Sequence, residues 1–180
     1  ALHAKIRWFR LSKSVERILR VNHAGEHGAI QIYRAQAMVA SYIYKDAVPK
    51  LYEMLEHERG HLRLFDGLMQ KREVRPCYAL SLWALGGYLL GLVTALLGRN
   101  AIWACTEAVE TSVLKHLDWQ IDYLSRYDRE VHAAVLSIIA EEEEHREYGR
   151  ALTRHGVLYG IVSFVAQRST RAAIWLSERL

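Results

Sequence analysis

Apolar residues recur every three to four positions along most of this chain, the spacing of one buried helical face, and no sustained period-two alternation bounded by turn residues interrupts them. The breaks in that pattern predict six helices. The first runs from about Ser12 to Ala40. Asp46 and Pro49 open the second, which reaches about Lys71. Arg75-Pro76 then introduces an apolar third segment, Cys77 to Gly98. Asn100 is the expected cap of a fourth helix ending near Ser125, and Asp128 caps a fifth that Gly156 ends. A sixth covers Tyr159 to Leu180.

Polar residues at special positions within that pattern carry the chemistry. Glu26 is followed 32 residues later by Glu58 in Glu58-Arg59-Gly60-His61, and Glu110 is followed 32 residues later by Glu142 in Glu142-Glu143-Glu144-His145. The midpoints of the two intervals are positions 42 and 126, beside the turn signals Lys45-Asp46 and Tyr127-Asp128. In each half the chain climbs about four turns, reverses and descends, a distance of about 20 Å. Each lone Glu is thereby level with its Glu-x-x-His partner across an antiparallel hairpin. Four carboxylates and two imidazoles arranged this way suit a two-metal site in the core of a four-helix bundle. The i,i+3 spacing puts Glu58 with His61, and Glu142 with His145, on one helical face. Glu26 and Glu110 can each complete or bridge such a site. Oxygen and imidazole donors with open positions suit iron or manganese rather than structural zinc.

The neighbouring polar residues are assigned plainer roles. The 32-residue register selects Glu110 over Glu107, and the spacing to His145 selects Glu142, leaving Glu141, Glu143 and Glu144 as a solvated face. Glu53 and His57 read as a surface i,i+4 pair. His23, His27 and His116 lie near the site without ligand spacing and are candidates for supporting it from outside.

Cys77 to Gly98 is 22 residues without a charge, long enough by itself to cross a membrane. A single span would put His61 and Glu110 on opposite sides of the bilayer, so the segment reads instead as a crossover running the length of the bundle, as in ferritin-like folds. Its Leu-rich surface, with Trp83 and Tyr88, suits a membrane interface; a buried core helix is the alternative.

Composition adds three things. At 180 residues and 51% hydrophobic, the chain can bury one sizeable core, so one all-α domain over 1–180 is expected. Cys77 and Cys105 lack CxxC spacing and suggest neither a disulfide framework nor a thiolate metal site. The net charge of +4 is concentrated early, where Lys5, Arg7, Arg10, Lys13, Arg17 and Arg20 face only Glu16. This basic amino end, 1–13 included, suits an anionic membrane or a nucleic-acid backbone, with a solvated helix face as the alternative; for the chain as a whole a bilayer and no nucleic acid is the expected partner. The start carries no secretory-signal pattern and no Met, so a removed leader or a trimmed start is expected.

Longer runs resemble a known family. Ile18-Leu19-Arg20-Val21-Asn22-His23-Ala24-Gly25-Glu26, then Gly28-Ala29 and Ile32-Tyr33, resembles the opening of the demethoxyubiquinone hydroxylases of ubiquinone biosynthesis. Val74-Arg75-Pro76, Thr94 to Gly98, Ala104-Cys105-Thr106 through Val109-Glu110, and Ile174 to Leu180 extend the resemblance over nearly all the chain from Ser14. It implies a ferritin-like, membrane-associated di-iron monooxygenase with iron on Glu26, Glu58, His61, Glu110, Glu142 and His145. The implied reaction hydroxylates the ring of a polyprenylated demethoxyquinone with O₂ and electrons from NADH. The resemblance also implies a peripheral position on the cytoplasmic face of a bacterial inner membrane or the matrix face of a mitochondrial one. A lipid-binding accessory protein and a ubiquinone-biosynthesis complex are the implied partners. Many members have Tyr immediately after the position of His116; here it is Leu117, so no role for that Tyr carries over. Two rivals use the same residues differently: a ferroxidase or peroxide scavenger, and a metal-free membrane-binding helical module.

Overall fold

The computed structural model describes the backbone from residue 2 to residue 180 and side chains from Ser14 onward, so Lys5, Arg7, Arg10 and Lys13 lie outside the described side chains. Six helices follow in order: α1 (Leu2–Ile43), α2 (Val48–Lys71), α3 (Leu80–Leu97), α4 (Arg99–Tyr127), α5 (Arg129–Leu152) and α6 (Val157–Ser177). No strand occurs among the described residues. The hairpins α1–α2 and α4–α5 build the bundle, α3 lies against α1, and α6 lies against α4. The fold is the expected all-α, ferritin-like arrangement with a crossover helix and a C-terminal helix.

The two reversals fall close to the sequence midpoints. Pro49 occupies the first turn of α2, where no backbone donor is needed. Asp46 does not cap that helix; it pairs with Arg99 at 2.7 Å. Asp128 does cap α5, accepting from the Val131 amide at 3.0 Å, and the Arg72 guanidinium holds the same carboxylate. That contact brings the end of α2 to the start of α5.

Helix α1 begins at Leu2 rather than near Ser12, and the start of α4 and the end of α5 are displaced as well. Only Gly98 separates α3 from α4, and its φ of +119° makes a corner that other residues rarely adopt. Helix α4 has therefore begun by Arg99, and Asn100 is not its cap. The Asn100 side chain instead donates to the Arg154 carbonyl at 3.0 Å and accepts from the Arg154 amide at 2.5 Å, anchoring the α5–α6 connection. Helix α5 stops at Leu152, before Gly156, because Thr153 turns extended and its hydroxyl bonds the Gly149 carbonyl at 2.7 Å. Gly156 precedes α6 instead.

Two apolar layers fill the bundle on either side of its middle. One gathers Leu19, Phe65, Leu68, Leu124, Val135 and Ile138. The other gathers Tyr33, Ala40, Leu51, Leu55, Ile102 and Trp103. Along all four bundle helices the predicted ligands fall between residues of these two layers. The polar site is thus a single slab sealed at both ends by hydrocarbon.

Helix α3 is long and apolar enough to cross a membrane, yet it lies along α1. Its Gly87 and Gly91 touch α1 so closely that a methyl group on either would collide with the carbonyl of Gly28 or Ile32. Its larger residues point away: only 22% of the helix is buried, which rules out a fully buried core helix. Leu82, Leu85, Leu89, Val93 and Leu96 form an exposed apolar stripe, and Ile161, Phe164 and Trp175 are exposed on α6.

Candidate metal centre

Glu26 comes from α1, Glu58 and His61 from α2, Glu110 from α4, and Glu142 and His145 from α5; all six are at most 5% exposed. Carboxylates in such surroundings are costly unless a cation meets them. Their oxygens and ring nitrogens form two overlapping groups, Glu26, Glu58, His61 and Glu142, and Glu58, Glu110, Glu142 and His145, each with its donor atoms within 4.8 Å of one another. Glu58 and Glu142 belong to both groups. Glu26 belongs to the first group alone and Glu110 to the second alone.

The inward atoms fit cations. Nδ1 of His61 lies 3.2 Å from Glu142 Oε1, and Nδ1 of His145 lies 3.2 Å from Glu58 Oε1. Yet Glu58 Oε1, Glu142 Oε2 and both Nδ1 atoms are buried without a hydrogen-bond partner. Orphaned acceptors converging on two shared centres are what metal ligands look like without their ions.

The electrostatics agree. Burial, then repulsion from neighbouring acids, pushes Glu110 well above the ordinary carboxylate range. Burial likewise raises Glu26 and Glu142, against the opposing contact with His61. Burial would raise Glu58 too, but the His145 and His61 imidazoles outweigh it and hold Glu58 low. His61 is lifted well above its usual range, since Glu142, Glu26 and Glu58 overcome the effect of its burial. Without cations the cluster must retain protons; bound cations would displace them.

Other residues depart from their expected roles. Tyr33, two turns after Glu26, is fully buried and its hydroxyl donates to Glu110 Oε1 at 2.5 Å. That i,i+7 spacing was a readable signal. His57 is not a surface partner of Glu53, which pairs with Lys50 at 2.6 Å. The His57 ring meets that of His145 edge to edge, the ring planes 12° apart, with Nδ1 3.0 Å from its Nε2. Glu141 leaves the solvated face to meet His61 Nε2 at 2.7 Å, and Glu144 pairs with Lys50 at 2.5 Å. His23 bonds Asp66 at 2.9 Å rather than a ligand. Burial lowers the pKa of His27 and of His116. His116 lies on a cavity wall, accepting from the Trp119 indole at 3.3 Å. Cys77 and Cys105 are free and buried.

A cavity of about 540 Å³ lies against the site. The carboxyl-bearing Glu26, Glu58, Glu110 and Glu142 line it, whereas His61 and His145 do not. Besides these carboxylates, its walls come from α1, α3, α4 and α6 and are mainly apolar, with Asn22, His116, Ser169, Thr170 and Ser177 as the polar exceptions. Leu82, Leu89, Val93 and Val165 both line it and are exposed, so it reaches the surface between α3 and α6.

Known proteins share much of this sequence. The chain is 39% identical over 174 residues to the human NADPH-dependent 3-demethoxyubiquinone 3-hydroxylase, mitochondrial, covering 93% of this chain and 78% of the relative. It is 38% identical over 167 residues to the 3-demethoxyubiquinol 3-hydroxylase of Rhodospirillum rubrum, covering 92% and 78%. With the 5-demethoxyubiquinone hydroxylase, mitochondrial, of Saccharomyces cerevisiae it shares 30% identity over 182 residues, covering 92% and 78%. Residues 13–177 match the model of the ubiquinone biosynthesis protein COQ7 family, and the chain belongs to that family.

Proposed function

We propose that this chain is an O₂-dependent di-iron monooxygenase that hydroxylates the ring of a polyprenylated demethoxyquinone in ubiquinone biosynthesis. The observation that carries the reading is the cavity: an apolar space that ends on four carboxylates and opens along an apolar surface. A ferroxidase or peroxide scavenger has no use for such a space, and its relatives' names speak against a metal-free binding module.

Glu26, Glu58, His61 and Glu142, whose donor atoms converge, would hold one iron, and Glu58, Glu110, Glu142 and His145 would hold the other. When bound, iron supplies the oxygen chemistry that no side chain can perform on a ring carbon. The chain's own residues set the conditions. The carboxylates face the cavity, so the quinone ring approaches from that side. Tyr33 fixes one oxygen of Glu110. The walls of α1 and α4, with Ala24, Ala29 and Val109, keep water from the ring. The isoprenoid tail leaves between α3 and α6 towards the bilayer, where each CH₂ kept from water contributes about 0.8 kcal/mol. The exposed stripe of α3 and the face of α6 rest on the membrane, which makes the protein peripheral; a lipid-binding accessory protein or a biosynthetic complex would dock from there.

Electrons come from a reduced nicotinamide. The resemblance implies NADH, whereas the human relative is named for NADPH, so the assay compares both. Iron-loaded protein, demethoxyquinone and ¹⁸O₂ are incubated with either cofactor and the quinone is followed by mass spectrometry. The expected product is the ring-hydroxylated quinone carrying one ¹⁸O. Hydroxylated product without ¹⁸O, or Fe²⁺ oxidation with the quinone unchanged, would overturn the reading.

A further inference from the structure

Each of the two Glu-x-x-His helices carries a second polar residue four positions before its histidine: His57 before His61 on α2, and Glu141 before His145 on α5. This spacing keeps each on its own histidine's face. The contacts run crosswise between helices. Glu141 meets Nε2 of His61, at 2.7 Å, and His57 meets Nε2 of His145, at 3.0 Å. In both histidines it is the other nitrogen, Nδ1, that faces the shared carboxylates. Glu141 and His57 are 42% and 27% exposed, on the side of the ring away from the cavity.

We propose that Glu141 and His57 are positioning residues that orient the two histidines for metal and make the two metal positions unequal. The inference rests on the two-metal reading above. Glu141 can only accept, so His61 carries its proton on Nε2 and presents a bare Nδ1 inward. For His145 to present Nδ1 likewise, its Nε2–H donates to His57 Nδ1, and His57 keeps its own proton on Nε2. A carboxylate draws on an imidazole N–H more strongly than a neutral imidazole does, so His61 becomes the more basic donor. The ion beside Glu26 and His61 is therefore bound first and more tightly, and the one beside Glu110 and His145 second. Glu141 Oε2 is 3.9 Å from His57 Nδ1, too far for a hydrogen bond, so the two supports act separately.

The test titrates Co²⁺ into the metal-free full chain by calorimetry and visible absorption. The unaltered protein is expected to take up two ions in two distinguishable steps. Glu141→Gln should weaken the tighter step about 10- to 100-fold, and His57→Ala the weaker step by a similar factor. His57→Gln, which retains an acceptor for His145, should restore much of that loss. Lys50→Ala, which cuts a neighbouring α2–α5 ion pair to Glu144, serves as the control and should leave both steps unchanged. The melting temperature of each metal-free variant separates loosened ligands from a loosened fold. Two unaltered steps in both Glu141→Gln and His57→Ala would overturn the proposal while leaving the two-metal reading intact. Losses matched by Lys50→Ala would overturn it as well, showing only that the helices had parted. No uptake by the unaltered protein would overturn both.

Discussion

The two sides of the carboxylate ring are built on opposite principles. Between α2 and α5 the bundle is stitched by polar pairs along its length: Lys50 to Glu144 at 2.5 Å, His57 to His145, His61 to Glu141, and Lys71 and Arg72 to Glu130 at 2.6 and 2.8 Å. Between α1 and α4 small residues leave a cavity, with the Asn22–Gln120 amide pair, at 2.8 and 3.0 Å, joining the two helices beside it. On the proposed reading, one side orients the ligands and the other admits an apolar guest. The carboxylates lie where the two meet and line the cavity, so bound metal would face the substrate and be supported from behind.

The sharpest way to break this division is Glu110→Ala. It removes an end ligand that also lines the cavity, and should abolish quinone hydroxylation and lower bound iron below two per chain. Circular dichroism should show the helices retained. Full activity in that variant would remove Glu110 from the site.

A change on the cavity side alone should spare the metal. Leu89→Glu places a charge where the cavity wall meets the exposed stripe of α3. A Leu side chain that passes from water into the bilayer contributes about 1.5–3 kcal/mol, so binding to anionic vesicles should weaken about tenfold or more with iron content unchanged. Flotation with vesicles and elemental analysis read the two effects separately.

The carboxylates themselves predict a pH effect. Glu26, Glu110 and Glu142 have folded values raised above 4.5. Each binds its proton more tightly folded than unfolded, so its contribution is complete below that ordinary value and is lost as pH rises through the raised one. Glu58, held low, acts in the opposite sense, but its contribution changes only as pH falls below 4.5 and is constant over the range above it. Metal-free protein should thus lose stability from mildly acidic to mildly alkaline pH. Bound divalent ions should cancel the loss, so the difference in Tm with and without metal should widen over that range. A constant difference would contradict the assignment.

The smallest effect belongs to the polar side's far end. Asp128→Ala removes the cap of α5 and the partner of Arg72, which should cost about 1 kcal/mol in denaturant unfolding. Iron content should not change. Ion pairing with Arg72 holds Asp128 below its ordinary 3.8 despite partial burial. Its stabilising effect is therefore present above that value and lost as pH falls through the lower folded one.

What could be read from the sequence follows from range. The six ligand positions obey the helical period within each hairpin, so Glu26 and Glu58 are aligned by one short turn and Glu110 and Glu142 by another. Asp128 was legible because a cap acts within three residues. His57, Glu141 and Asn100 were misassigned because their partners lie on other helices, at angles that periodicity does not encode. The cavity was equally hidden, since four helices share its walls. For α3 the lack of charge was plain, but whether its Leu residues face core or surface depended on Gly87 and Gly91 drawing one face onto α1.

The most direct measurement is the iron anomalous signal from crystals of the iron-loaded protein. Two peaks are expected, sharing Glu58 and Glu142, with Glu26 and His61 at one and Glu110 and His145 at the other, both bordering the cavity. A single peak, or iron held elsewhere such as at His23 and Asp66, would contradict the account.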